Sequence, residues 1–243
     1  MSKKLKKNWQ RGLMLLLVNV MLASPTVAYG SVPSYQALPH ENLSVGRNSH
    51  AYNPAQGQLS EAEKEAFVDE VTTYAKSAEK QWHVPAEAII GMAIKESGYG
   101  FTRVAVNANN IFSMKIYSVN PSGAWQLKGQ PFEGDNKPSL KEVTAANHGN
   151  DRIVFKEWLR EDNWYRNFDS REEAVEYLAG TLLQNSRYRP ALDRYYARVA
   201  ASWPADAAAS QYVYDVAAAG YCSWGPVYYR QEVTKFMDMW DLY

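Results

Sequence analysis

Residues 93–115 read AIKESGYGFTRVAVNANNIFSMK, and this stretch predicts the fold around it. The apolar run that precedes Glu96 is typical of a buried helix. Gly98 and Gly100 end that helix, because glycine readily adopts the left-handed conformation found at helix C-termini. Glu96 is therefore expected on the last helical turn, beside the negative end of the helix macrodipole and partly shielded from water.

Both features are expected to raise the pKa of Glu96, because each disfavours the charged carboxylate. A carboxylic acid that stays protonated near neutral pH can donate a proton to a leaving oxygen. The position alone equally fits a solvated glutamate at a helix end with no catalytic role. The residues thus make Glu96 a candidate general acid and leave that alternative open.

Helical signals lie on both sides of this stretch. Ser60 and Glu63 form the sequence signature of a capping box, and Pro85 suits the first position of the next helix. Ser170 and Glu173 repeat the capping-box pattern further along the chain. Further helical patterns cover residues 189–201, 206–219 and 226–241.

Residues 113–168 differ from the rest, because proline and glycine recur there and interrupt any helix. Two apolar and aromatic runs, 153–159 and 164–168, flank the polar residues 160–163. This spacing predicts a β-hairpin with a solvated, charged turn. The predicted fold class is α+β and mainly α: a helical body interrupted by one small β-rich insertion, an arrangement that forms a cleft.

The first 30 residues form the expected signal peptide, with a basic segment, the apolar run Gly12–Ala23 and small residues near Ala28 and Gly30. That run is shorter than the about 17–25 residues of a spanning helix, and an uncleaved anchor is the alternative. The chain is thus expected to be exported to the periplasm, the cell wall or the extracellular space, without stable membrane insertion after cleavage. Residues 31–59 are a predicted linker, because proline, glycine and polar residues dominate them.

The composition excludes several classes of protein. The chain has 26 basic and 26 acidic residues, and residues 1–30 hold five of the basic ones and no acid, so the remainder carries a net charge of −5. A nucleic-acid-binding protein needs a basic face instead. The one cysteine, Cys222, excludes an intrachain disulfide framework and is predicted to be a small buried apolar side chain. The four histidines form no helix-spaced pair with a carboxylate, so neither a metal nor another cofactor is predicted.

Four motifs occur in order along the chain. They are E-S-G-Y-G at 96–100, N-N-I-F-S-M-K at 109–115, Y-R-N-F-D-S at 165–170 followed by E-E-A-V at 172–175, and G-Y-C-S at 220–223 with Tyr228 and Tyr229 further on. Together they resemble the glucosaminidase family of bacterial cell-wall hydrolases, glycoside hydrolase family 73. That family includes the hydrolase domain of the flagellar rod-cap protein. The resemblance covers roughly residues 62–240.

The resemblance implies a lysozyme-like fold, with a helical lobe, a β-lobe at about 113–168 and a groove between them. Residues 60–243 are then the catalytic domain. The reaction it implies is hydrolysis of the β-1,4 bond on the N-acetylglucosamine side of peptidoglycan glycan strands, which are the expected partner.

The family's motifs also assign roles to residues. By resemblance, Glu96 falls on the catalytic acid and Tyr221 on a groove tyrosine that supports it. The residues that fall on the groove-lining segment are Asn110, Phe112 and Lys115. The rings expected to stack on sugars, because they flank the groove segments, are those of Tyr99 and Trp125.

The chain departs from the family's pattern at two places. Ser113 stands where the family usually has glycine, and Trp224-Gly225 replaces the usual Asp-Pro neighbourhood. Either change could alter the shape of the groove without changing Glu96.

The sequence leaves open which residue supplies the second catalytic carboxylate. Glu157 is the nearest match to the family's proposed base, and Asp151 and Glu142 are competitors. Such a carboxylate could activate water, or the substrate's own 2-acetamido group could attack instead. A muramidase or lytic transglycosylase on the same fold, and a non-catalytic glycan-binding scaffold, are the alternative functions.

Overall fold

The computed structural model describes residues 59–119, 121–127 and 160–243, together with the backbone of 141–143 and 153–155. The predicted signal peptide and all but the last residue of the predicted linker lie outside the described residues. Glu157 and Asp151 also lie outside them, and only the backbone of Glu142 is described. The predictions for these parts of the chain therefore stay predictions.

Helices make up most of the described chain. They are α1 (Glu61–Trp82), α2 (Ala86–Ser97), α3 (Arg103–Ala108), α4 (Arg171–Tyr177), α5 (Arg189–Ala200), α6 (Ala205–Val216) and α7 (Pro226–Met239). The π-helical turns that extend α4 and α6 are Leu178–Leu182 and Ala217–Tyr221. The strands are β1 (Ala124–Gln126), β2 (Lys141–Val143), β3 (Ile153–Phe155) and β4 (Trp164–Arg166). The predicted class, α+β and mainly α, is confirmed, and no helix among the described residues could cross a membrane.

Helix α1 begins at the predicted capping box. The Ser60 hydroxyl accepts a hydrogen bond from the Glu63 N–H at 3.3 Å, and the Glu63 carboxylate accepts one from the Ser60 N–H at 2.7 Å. These bonds satisfy donors that the first helical turn cannot pair internally. One face of α1 is buried, with Phe67, Val71 and Ala75 at most 1% exposed. Their spacing turns that face towards the core.

Helix α2 is the most buried of these elements. Every residue from Ala88 to Ile94 is buried, and the helix packs against α1, α6 and α7. Gly91 permits the close approach of α7, because a Cβ atom there would lie 2.8 Å from the Met237 Cγ. Hydrophobic burial thus fixes the position of the C-terminal end of α2, which carries Glu96.

The strands pair differently from the prediction. Strand β4 is antiparallel to β1, with Trp125 opposite Tyr165, and β3 is antiparallel to β2. The predicted hairpin between 153–159 and 164–168 is therefore wrong. That prediction used only neighbouring residues, namely two apolar runs on either side of a polar segment. The strand that actually pairs with β4 lies about 40 residues earlier in the sequence.

Contacts of Asn163 and Leu127 explain why β4 joins β1. The Leu127 N–H donates to the Asn163 carbonyl at 2.9 Å, and the Asn163 Nδ2 donates to the Leu127 carbonyl at 2.9 Å. Leu127 is buried with Val104 and Tyr165 in a small cluster of its own. Pairing with β1 therefore buries apolar surface and satisfies the polar groups at the end of the ladder.

The polar segment before β4 is only partly solvated: Glu161 is exposed, as predicted, whereas the prediction is wrong for Arg160 and Asn163, which are buried. Arg160 is fully buried, and its guanidinium donates to the Asp162 carboxylate at 2.8 and 2.7 Å. The Trp164 indole N–H donates to the Arg160 carbonyl at 2.9 Å. A buried guanidinium is tolerated here because a carboxylate neutralises it and shares two hydrogen bonds with it.

Candidate active site

The end of α2 is a tight turn that places Glu96. The helix ends at Ser97, and Gly98 follows in the left-handed conformation (φ 55°), with its N–H donating to the Ile94 carbonyl at 2.9 Å. Ser97 is buried, and its hydroxyl donates to a carbonyl of the preceding turn at 2.6 Å while it accepts from the Gly100 N–H at 2.7 Å. Glu96 thus lies half-buried on the last turn of a rigid helix.

Ser113 contacts this end of α2 from a separate segment. Its hydroxyl donates to the backbone carbonyl of Glu96 at 3.0 Å, and that carbonyl is one of those that the last turn of a helix leaves without a helical donor. The Ser113 backbone is left-handed, with φ 52°. Glycine is less strained than serine in this conformation, which accounts for the glycine usual here in the family that the sequence resembles. The hydroxyl bond offsets part of the strain that serine adds.

Asn110 and Phe112 shape the segment that carries Ser113. The buried Asn110 side chain donates to the carbonyls of Met114 and Arg166 at 3.0 and 2.9 Å and accepts from the Met114 N–H at 2.9 Å. Phe112 is 2% exposed and belongs to the main core. The two side chains therefore join α3 to β4 and to the core, and their contact with a substrate stays a prediction.

Tyr229, on α7, brings a phenol to Glu96. Its ring is 1% exposed, and its hydroxyl makes no well-aligned hydrogen bond among the described residues. Burial raises the pKa of Tyr229 well above its usual value, and the Glu96 carboxylate raises it further by its charge and as a hydrogen-bond acceptor within reach. The phenol therefore stays protonated. It can donate to Glu96 after a small adjustment of the kind that active sites make when substrate binds.

Tyr221 and Cys222 lie beside this pair. The Tyr221 ring centroid is 5.6 Å from that of Tyr229 and 6.2 Å from that of Tyr188. Cys222 is half-buried rather than buried as predicted. Burial raises the pKa of the Cys222 thiol, and the charge of Glu96 acts in the same direction. Tyr221 thus contacts the tyrosine that faces Glu96, and its supporting role stays a prediction.

Sequence reasoning missed Tyr229 as a site residue. The fourth motif contains two adjacent tyrosines, and the rotation of α7 decides which one faces inward. Tyr228 is 42% exposed, whereas Tyr229 is buried. The signal that could have found Tyr229 is its spacing with Val233 and Met237, four residues apart each time and all buried.

Tyr99 packs into an aromatic cluster. Its ring makes edge contacts with Phe67, Phe236 and Trp240 at centroid distances of 6.2, 6.0 and 6.1 Å. Its hydroxyl accepts a hydrogen bond from the Trp240 indole at 3.1 Å. These contacts engage the ring in packing between α1 and the C-terminal part of the chain, and stacking of Tyr99 on a sugar stays a prediction.

The structure brings Lys115 and Trp125 together at one residue, Tyr165. The Lys115 ammonium lies 5.7 Å from the centroid of the Tyr165 ring, and the two backbones form an isolated β-bridge. Trp125 is half-buried and packs on the cluster that contains Tyr165. The two residues therefore lie on the β1–β4 sheet, and Lys115 is two residues from Ser113. Their contact with substrate stays a prediction.

The arrangement brings together a half-buried carboxyl group, that of Glu96, and the neutral phenol of Tyr229. In the part of the chain that the structure describes, no group of three His, Cys, Asp or Glu side chains could hold a metal ion. The three carboxyl side chains that the sequence offers as the second acidic group are not among those described.

The sequence model of the glucosaminidase family, described as mannosyl-glycoprotein endo-beta-N-acetylglucosaminidase, matches residues 72–242. No protein with a curated description matches the chain.

Several solved structures are similar to this one. A peptidoglycan hydrolase mutant from Sphingomonas sp. A1 is 18% identical, with a TM-score of 0.44, over 72% of this chain and 92% of that one. The catalytic domain of the autolysin Auto from Listeria monocytogenes is 13% identical, with a TM-score of 0.47, over 77% and 89%. A C-terminally truncated glycoside hydrolase domain of FlgJ from Salmonella typhimurium is 19% identical, with a TM-score of 0.47, over 74% and 99%.

Proposed function

Because the chain belongs to the glucosaminidase family of glycoside hydrolases, we propose that it is an exported peptidoglycan hydrolase with Glu96 as its general acid. The bond cleaved is the β-1,4 bond after N-acetylglucosamine, as in an endo-β-N-acetylglucosaminidase. The observation that carries the proposal is a convergence at Glu96. The residue ends a rigid helix, its backbone carbonyl accepts from the Ser113 hydroxyl, and the Tyr229 phenol lies within reach of its carboxylate. Such convergence is typical of a positioned acid rather than of a solvated helix terminus.

The acid acts on the leaving oxygen of the glycosidic bond. Glu96 donates its proton to that oxygen as the bond to the sugar's anomeric carbon breaks, and the sugar develops the positive charge of an oxocarbenium ion. Tyr229 stays neutral, since its pKa is raised well above the usual value by burial and by Glu96. A neutral phenol can then donate a hydrogen bond to the carboxylate that remains after proton transfer.

Two routes complete the reaction. A second carboxylate about 6.5–9.5 Å from Glu96 would activate water on the opposite face of the sugar, and the anomeric configuration would invert. Attack by the substrate's 2-acetamido group would retain it. The candidates for the second carboxylate are Glu157, Asp151 and Glu142. Nuclear magnetic resonance of the first product separates the two routes by its anomeric configuration, and the Glu157→Gln variant tests the first candidate.

The test of the function is mass spectrometry of purified peptidoglycan after digestion and borohydride reduction. Reduced N-acetylglucosamine ends from the wild type and not from Glu96→Gln are the expected result. Glu87→Gln is the matched control, because Glu87 is a partly buried glutamate in the first turn of the same helix. It should release the same ends as the wild type.

Other products would correct the proposal in defined ways. Reduced or anhydro-muramic ends would make the protein a muramidase or a lytic transglycosylase. Binding to sacculi without new ends from any variant would make it a glycan-binding scaffold. Equal activity of the wild type and Glu96→Gln would show that Glu96 is not the general acid.

A further inference from the structure

Two aromatic rings are exposed on the turn that follows Tyr221. Trp224 is 79% exposed and Tyr228 is 42% exposed. Their ring centroids are 6.0 Å apart, and the ring planes are tilted by 40°. A large apolar ring left in water forgoes the stabilisation that burial would give, and adjacent exposed rings commonly mark a binding surface.

Tyr228 is held in place by the helix that carries Glu96. The Lys95 ammonium lies 5.1 Å from the centroid of the Tyr228 ring and 3.4 Å from its hydroxyl. The same ammonium forms an ion pair with Glu232 at 3.2 Å. Tyr228 is therefore fixed before any ligand arrives, which lowers the entropic cost of binding. The ion pair also neutralises the charge of Lys95 beside the Tyr228 ring.

Trp224 is linked to the neighbourhood of Glu96 through Cys222. Cys222, two residues before Trp224, lies close enough to Glu96 for the carboxylate to perturb its thiol, and the thiol also interacts with the backbone of Trp224. The two rings therefore adjoin Glu96 through Lys95 on α2 and through Cys222 on the turn. We call Trp224 and Tyr228 the aromatic platform.

We propose that the aromatic platform binds one sugar ring of the glycan strand, next to the bond that Glu96 cleaves. This inference rests on the proposed function. A pyranose ring presents a face of C–H groups, and such a face packs on an indole while the hydroxyl and acetamido groups stay hydrated. The paired charges of Lys95 and Glu232 favour this uncharged ring face over an anionic peptide stem. Trp224 stands where the resembled family has the Asp-Pro neighbourhood, so the subsite is a property of this chain.

The experiment measures binding of an N-acetylglucosamine hexamer by calorimetry in the Glu96→Gln background, where the probe is not cleaved. We expect Trp224→Ala to weaken binding about tenfold and Trp224→Tyr, which keeps a ring, to restore most of it. Trp203→Ala is the matched control, because Trp203 is 48% exposed and lies between α5 and α6. It should leave the affinity unchanged.

In the active protein, Trp224→Ala should raise KM for glycan strands about tenfold and change kcat less than twofold. Unchanged affinity and KM in Trp224→Ala would overturn the platform while leaving the proposed function intact. Equal losses in Trp224→Ala and Trp203→Ala would overturn it as well. If the wild type released no new ends but bound the hexamer through Trp224, the proposed hydrolysis would fail and the platform would stand.

Discussion

Replacing Ser113 by alanine removes the hydroxyl that donates to the Glu96 carbonyl at 3.0 Å and keeps the left-handed backbone of φ 52°. Loss of one such hydrogen bond costs about 1 kcal/mol of folding free energy. Ser113→Gly loses the same bond but relieves about 1–2 kcal/mol of left-handed strain. In the opposite direction, glycine lowers the free energy of unfolding by about 0.4–1 kcal/mol, because it gives the unfolded chain greater conformational freedom. The alanine variant should therefore be about 1 kcal/mol less stable than the wild type. The glycine variant should be at least as stable as the alanine variant and within about 1 kcal/mol of the wild type.

The assay is urea unfolding followed by tryptophan fluorescence, with the free energy of unfolding taken from midpoint and slope. Ser202 is the matched control, because it is exposed and left-handed at φ 59°, and its hydroxyl makes no hydrogen bond to any of the described residues. Ser202→Ala should leave stability unchanged, and Ser202→Gly should increase it by about 0.5–1 kcal/mol. If Ser113→Ala were as stable as the wild type, or Ser113→Gly less stable than Ser113→Ala, the account of this helix end would be refuted.

Further predictions concern the acid and its supports. Tyr229→Phe should move the descending limb of the pH–rate profile about one pH unit higher, because the phenol favours the ionised form of Glu96. The size follows from a hydrogen bond to a charged group, which is worth about 1.5 kcal/mol. An unshifted limb would show that the phenol does not act on Glu96. Gly91→Ala should lower the free energy of unfolding by about 1–3 kcal/mol, since its Cβ would lie 2.8 Å from the Met237 Cγ. Urea unfolding would detect this, and the double variant with Met237→Ala should lose less stability than the sum of the two single variants. Asn110→Ala should destabilise the chain by about 2–3 kcal/mol, because it removes three hydrogen bonds to the backbone, two of them buried and one partly buried. A loss below about 0.5 kcal/mol in the same assay would contradict this.

The short-range signals were read correctly from the sequence. The Ser60 capping box and the start of α2 after Pro85 were predicted, and so was its end at Gly98. Each depends on residues within one turn of the position concerned, so the chain alone determines it. The same signals placed Glu96 on the last turn of an apolar helix, which is the part of the candidate site that needed no tertiary information.

The partners of these elements depended on distant contacts. Strand β4 pairs with β1 rather than with the nearer apolar run, and Arg160 is buried rather than solvated. Neither outcome follows from local spacing, because burial and side-chain hydrogen bonds across many residues decide which pairing is most stable.

The surroundings of Glu96 show the same division most clearly. The sequence determined by itself that a carboxyl group ends a buried helix. Only the tertiary structure decided that Ser113, Tyr229 and Cys222 meet it, from segments 17 to 133 residues away. It also decided that Tyr229 faces inward while Tyr228 faces solvent, because the packing of α7 on α2 sets the rotation of that helix. Local preferences fix where a helix ends, whereas burial of apolar surface between helices fixes what stands opposite that end.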